Sequence, residues 1–251
     1  MILAWLGAIV VGLSLGLLGS GGSILTVPIL VYLLGQPDKV AIAGSLAIVG
    51  GISLVGAARY AYQRLVSWRH VAWFGIPGIG GSYLGAYVSK FVPGSVQLVV
   101  FALIMGLASY TMLRPAAVGS ADGRHPLWLL LAGFIVGMVT GFVGVGGGFL
   151  IVPALVVLGG LAIYSAVGTS LVVIVMNSGG GFYKHFDLLH ASHVAIDWRT
   201  IILFIVLGAA GSVAGNSLAR RITPVRLRHI FGVFLIAMSG YILWHSLPLG
   251  L

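Results

Sequence analysis

The sequence predicts an all-α integral membrane protein of two inverted-topology repeats, each a glycine-broken hairpin followed by three full transmembrane helices. Three observations predict it. The 251 residues are 59% hydrophobic and only 7% charged, with a mean hydropathy of +1.14, where a soluble domain carries roughly 25% charged residues. The second half repeats the first, Gly16–Pro28 returning 125 residues later as Gly141–Pro153. The thirteen Lys and Arg fall between or at the edges of the apolar runs, distributed as inversion requires.

The runs are 3–18, 24–34, 40–58, 71–89 and 96–113, then 128–143, 149–159, 164–182, 200–218 and 230–247. The first repeat is thus 1–113, with a hairpin at 3–34 and helices at 40–58, 71–89 and 96–113; a cytoplasmic linker follows at 114–126; the second repeat is 127–251, with a hairpin at 128–159 and helices at 164–182, 200–218 and 230–247. Ala41–Leu46 matches Ala166–Leu171 at the same offset of 125, and Gly81–Gly85 matches Gly211–Gly215 at 130. The N-terminus has neither a basic region nor a small-residue cleavage site and reads as mature sequence.

Length sorts the runs. At 1.5 Å per residue, a run of 19 residues reaches roughly 28 Å and crosses a hydrocarbon core of about 30 Å, whereas one of 11 reaches about 16 Å. The segments 24–34 and 149–159 therefore pair with the run before them, as one broken span or as a hairpin turning inside the membrane. Broken spans would divide the basic residues seven to six; hairpins place Arg59, Arg64, Arg69, Arg114, Arg124, Arg220, Arg221, Arg226 and Arg228 on one side against four on the other. The positive-inside rule selects the hairpins, hence inverted halves with both termini outside. Five true crossings per half share that parity and stay open. All six Trp lie within a few residues of a proposed span end, as interfacial belts do.

The chemistry lies at the breaks. Consecutive glycines allow positive φ, and a proline shortly afterwards fits a helix restarting inside the membrane. The first N–H groups of such a helix have no partners in it, and leaving them bare in hydrocarbon costs several kcal/mol each. Two inverted hairpins would aim two such N-termini at one midplane point, favouring an anion without any Lys or Arg. The candidate substrate-binding residues are Ser20, Gly21, Gly22 and Ser23 in the first break, Gly146, Gly147 and Gly148 in the second, and Ser45, Thr169, Ser170 and Asn177 in the third runs. Arg59 and Lys184, equivalent residues at the distal ends of those runs, are candidate gate cations, one at each mouth. The patterns Gly12–Gly16, Gly81–Gly85, Gly133–Gly137–Gly141 and Gly211–Gly215 read as close helix packing.

Other chemistries find little footing. There is no Cys, hence no disulfide or thiolate site, no phosphate-binding loop, no HExxH and no Glu. His185, His190 and His193 share a polar stretch with Asp187 and Asp197, but the spacing fits no tight ligand set and reads as a solvated loop. No catalytic residue, metal or cofactor is called for. The basic balance reflects loop arginines at a membrane, not nucleic-acid binding.

The duplicated glycine breaks followed by Pro28 and Pro153, each leading into an Ala-x-x-x-Ser-Leu run at Ala41–Leu46 and Ala166–Leu171, resemble the TauE/SafE family of sulfite exporters across essentially the whole chain. The resemblance implies a non-enzymatic, multi-pass transporter of a bacterial-type cytoplasmic (inner) membrane. Its substrate would be sulfite or a related small organosulfur or carboxylate anion; its other partners would be lipid and, left open, a second copy as a homodimer. A passive anion channel is the alternative. The inverted topology has a direct test. Tags in the Arg59–Arg69 and Lys184–Arg199 loops are expected to label from opposite sides of the membrane, and labelling from one side refutes inversion.

Overall fold

The structure, a computed structural model, describes residues 2–18, 23–113, 126–191, 196–219 and 224–246. The first half comprises α1 (Ile2–Leu18), α2 (Ser23–Pro28) running into a π turn (Ile29–Leu33), α3 (Asp38–Tyr62), α4 (Trp68–His70), a π turn (Val71–Gly75), α5 (Ile76–Val88), a 3-10 turn (Ser89–Phe91) and α6 (Gly94–Leu113). The second comprises α7 (Pro126–Val143), α8 (Gly148–Val157), α9 (Ile163–Ala191), α10 (Trp198–Ala219) and α11 (Pro224–Ser246). No strand occurs among the described residues. Of the linker, residues 114–125 lie outside them and Pro126 opens α7.

Asp38–Tyr62, Tyr164–Ala191 and Trp198–Gly215 are each long and apolar enough to cross a membrane. By contrast α8 has 10 residues, about 15 Å of helix. The π turn at Val71–Gly75 precedes Pro77, whose missing N–H leaves a carbonyl one turn back without its helical donor; the wider turn absorbs the mismatch. At the start of α10, Asp197 accepts the Thr200 N–H at 3.2 Å and the Thr200 hydroxyl, and these bonds hold its carboxyl below the usual carboxylate range. Helix α9 continues nine residues past the sequence boundary at 182. His185 and His190 therefore stand on a helix and not in a loop, and Lys184 pairs with Asp187 at 2.7 Å, one turn away.

The packing is reciprocal. The first helix of each half lies against the fourth segment of the other, α1 on α10 and α7 on α5, while α3 packs on α9 and α6 on α11. The α7–α5 seam is parallel and made of glycines: a Cβ on Gly133 would stand 2.2 Å from Phe74 O, on Gly137 2.2 Å from Gly78 O, and on Gly141 1.9 Å from Ser82 O. In the α1–α10 seam, a Cβ on Gly12 would meet Gly208 O at 1.9 Å. Only backbone fits there, as the small-residue spacing predicts.

The equivalent helices α3 and α9 run antiparallel: Leu46 lies by Gly181, Gly50 by Ser178 and Gly56 by Leu171. Helices α6 and α11 do the same, tied by two matching bonds: Ser109 Oγ donates to Gly232 O at 2.8 Å and Ser239 Oγ to Ala102 O at 2.7 Å. Donors and acceptors alike are exchanged by the offset of 130. Outside this core the surface is apolar, with Leu54, Leu103, Leu107, Ile135, Ile202, Val206 and Val233 exposed, as a lipid-facing exterior demands. The six Trp side chains are all exposed, most of them at helix ends.

The glycine seam yields a stability prediction. Gly137→Ala is expected to force α7 and α5 apart and cost about 1–3 kcal/mol, read as a lower thermal midpoint in detergent. Gly240→Ala, with no heavy atom within 4 Å of the added carbon, should leave the midpoint unchanged or slightly raised.

Candidate functional site

In the second half, α7 closes with the Gly144 N–H donating to Thr140 O at 2.8 Å, after which Gly144, Gly146 and Gly147 take φ of +80°, +70° and +67°. Three left-handed residues in four explain the glycines, since a Cβ there is strained whatever the space. Leu150 N and Ile151 N then both donate to Gly147 O, at 2.9 and 3.1 Å, and α8 begins. The N–H groups of Gly148 and Phe149, ahead of these, have no acceptor within the helix, and its dipole places partial positive charge at the break.

The break is seated on the third helices of both halves. Ser45 Oγ donates to Gly144 O and lies 2.8 Å from Ile42 O, so a hydroxyl of α3 pins the turn leaving α7. A Cβ on Gly146 would come within 2.6 Å of Val49 Cγ1 and 3.3 Å of Ser178 Oγ, and one on Gly147 within 1.9 Å of Thr140 Oγ1. Gly146, Gly147 and Gly148 are buried, as are Ser23, Ser45, Thr140, Asn177 and Ser178.

Asn177 and Ser178 stand apart from the rest. They are 0% and 1% exposed, yet Asn177 Oδ1, Asn177 Nδ2 and Ser178 Oγ have no hydrogen-bond partner among the described residues. Unpaired buried polar groups cost about 1–3 kcal/mol each and are rare. The Asn177 amide lies over Gly78, where a Cβ would come within 2.5 Å of Oδ1, and Ser178 lies against Gly50 and Gly146. The Asn177 backbone oxygen, by contrast, accepts from Ser82 Oγ at 2.6 Å. A second buried hydroxyl without a partner belongs to Ser53, which is related to Ser178 by the repeat offset of 125.

The other candidates are placed as follows. Ser23 is the buried first residue of α2, while Ser20, Gly21 and Gly22 lie outside the described residues. Thr169 Oγ1 accepts the Ser67 N–H at 2.9 Å, and Ser170 Oγ donates to Val167 O at 2.8 Å. Both stand about two turns from Ser178 along α9, and both hydroxyls are engaged. Next to Thr169, His70 receives the Ser67 hydroxyl at Nδ1 (2.8 Å) and donates from Nε2 to Gly159 O (3.1 Å), tying α4 to the exit of α8; burial lowers its pKa. Arg59 and Lys184 occupy opposite ends of the antiparallel α3–α9 pair. Lys184 bonds Asp187 and lies 5.6 and 5.7 Å from the ring centroids of Tyr83 and Tyr87.

Sequence reasoning did not single out Ser53 or Thr140, and it read His185 as part of a solvated loop. His185 is 2% exposed and donates from Nε2 to Gly141 O at 2.8 Å, on the last turn before the break. Ser53 had one available signal, its register with Ser178. The arrangement offers neutral donors, an amide oxygen and a helix N-terminus, with no Lys, Arg, Asp or Glu at 40–58, 70–89 or 126–183. Such a set can hold a small polar or anionic solute and supplies no nucleophile with a base beside it.

Comparison with known proteins gives the family. A family model described as "Sulfite exporter TauE/SafE" matches residues 4–242. A "Probable membrane transporter protein" of Xylella fastidiosa strain 9a5c is 34% identical over 245 residues, covering 94% of this chain and 92% of the relative. Its counterpart in strain Temecula1 is 33% identical over the same shares. A protein with the same description in Methanocaldococcus jannaschii is 26% identical, covering 94% of both chains. A family model over nearly the whole length, and relatives this similar along it, mean that the chain belongs to the sulfite exporter TauE/SafE family of membrane transporters.

Proposed function

We propose that the protein exports a small anion, sulfite or a related organosulfur anion, by alternating access around the two glycine breaks. The observation that carries this reading is the buried, unpartnered pair Asn177 and Ser178, with Ser178 against the left-handed Gly146 at the foot of α8. A polar cluster kept unpaired in an apolar bundle is what a transient ligand requires. Gly146, Gly147, Gly148, Asn177, Ser178 and Ser53 form one part of this site. The register relating Ser178 to Ser53 also relates Gly146 to Gly21, and Ser20, Gly21, Gly22 and Ser23 complete the proposed site from the first half. Ser45, Thr169 and Ser170, whose hydroxyls are engaged, hold the frame, and Arg59 and Lys184 greet anions at opposite mouths.

Inversion is supported by the antiparallel equivalents α3 with α9 and α6 with α11, together with the loop charges. The protein then sits in the cytoplasmic membrane with both termini outside. An interior-negative potential favours each negative charge leaving by about 2.3 kcal/mol per 100 mV, so export runs downhill. A cavity of about 10 Å³ beside the break, lined by Phe101, Val143, Phe149 and Thr140 among others, is room for about one water.

Purified protein in vesicles is expected to take up labelled sulfite saturably and with the imposed potential. Uptake no greater than in empty vesicles would overturn the sulfite assignment, and large single-channel currents would overturn alternating access. Gly146→Ala puts a Cβ at φ +70° and 2.6 Å from Val49; it should reduce uptake about tenfold or more, measured on protein whose yield and thermal midpoint match the parent.

A further inference from the structure

We propose that the species carried is an oxyanion that retains one O–H, the protonated monoanion and not the dianion, with that hydroxyl donating to the side-chain oxygen of Asn177. This rests on the reading above and concerns the same site. Asn177 presents one acceptor and two donors whichever way its amide is turned, and all of them are unpartnered and fully buried. Nδ2 and the neighbouring Ser178 Oγ, which lies against Gly146 at the start of α8, suit the unprotonated oxygens of an anion. Oδ1 does not: facing a bare dianion it would meet only other acceptors, whereas the O–H of a monoanion satisfies it.

Charge points the same way. Residues 40–58, 70–89 and 126–183 contain no Lys or Arg, so these segments offer the ligand dipoles and no fixed positive charge, and the Born cost of burial grows with the square of the ligand's charge, about fourfold from monoanion to dianion. Those residues contain no Asp or Glu either, and no carboxylate relay is needed, because the substrate brings its own proton across. For sulfite the balance is HSO₃⁻ entering one side and HSO₃⁻ ⇌ SO₃²⁻ + H⁺ re-equilibrating on the other.

The sign of the lumenal pH change distinguishes the two species. Protein-loaded vesicles with an entrapped pH dye, the potential clamped at zero, receive labelled sulfite near its second ionisation, beside empty vesicles that report passive leak. Entry of the monoanion releases protons inside, so acidification in step with labelled uptake is expected. Labelled uptake with alkalinisation overturns the inference while leaving the transport reading intact; no labelled uptake overturns that reading and the inference with it. A second measurement uses methanesulfonate, a monoanion without an O–H. It should compete with labelled sulfite about tenfold more weakly than unlabelled sulfite does, and equal competition overturns the role given to the Asn177 acceptor. Asn177→Leu, similar in shape but without polar atoms, should lose both uptake and acidification about tenfold; uptake at the parental level would overturn the assignment.

Discussion

A helix that stops inside an apolar bundle must have its ends enclosed, because apolar side chains offer no partner to a bare N–H or C=O. That constraint governs the break between α7 and α8. Its carbonyl at Gly144 is taken by Ser45 of the opposite half, the preceding turn gives Gly141 O to His185, and the restarting helix returns two N–H groups to Gly147 O. The seams where backbones nearly touch follow from the same need. Gly137 and Gly141 let α5 lie directly against α7, so the last turns before the break are walled by protein on the side where a side chain would have held the helices apart. Against this thorough pairing, the idle amide of Asn177 and the idle hydroxyls of Ser178 and Ser53 stand out, with Gln97 Oε1 the one other buried side-chain atom left without a partner among the described residues.

What could be read from the sequence followed from rules that are local. Glycine runs before Pro28 and Pro153 announce a restart wherever they occur, and a spacing of four between glycines announces a tight seam. Which helix lies across that seam is not local. Nothing in Gly133–Gly137–Gly141 says that the partner is α5, since the choice depends on the register of a helix some 59 residues away. Ser53 was hidden for a related reason. A lone serine in an apolar run has the same appearance whether it is bonded, as Ser45 is, or idle, and only the absence of a neighbour separates them.

The polar stretch after Gly181 misled in the opposite direction. Lys184, His185, Asp187 and His190 resemble a loop by composition, yet no glycine or proline interrupts them, and polarity alone does not end a helix. The i, i+3 pair of Lys184 with Asp187 fits the helical surface, and burial of His185 against Gly141 gives the extension a packed inner face. The added turns carry α9 beyond the apolar run, and through His185 they couple its far end to the break.

The exchange of first helices between halves bears on how the molecule is made. Gly12 of α1 rests on Gly208 of α10, 196 residues further along the chain. At ribosomal speeds of about 5–20 residues per second, α1 leaves the ribosome roughly 10 to 40 s before the surface that will cover its glycine face exists. During that interval α1 is an orphan, tethered but unclasped. The first repeat therefore cannot mature by itself: a helix made near the end of the chain is the one that locks α1 into place.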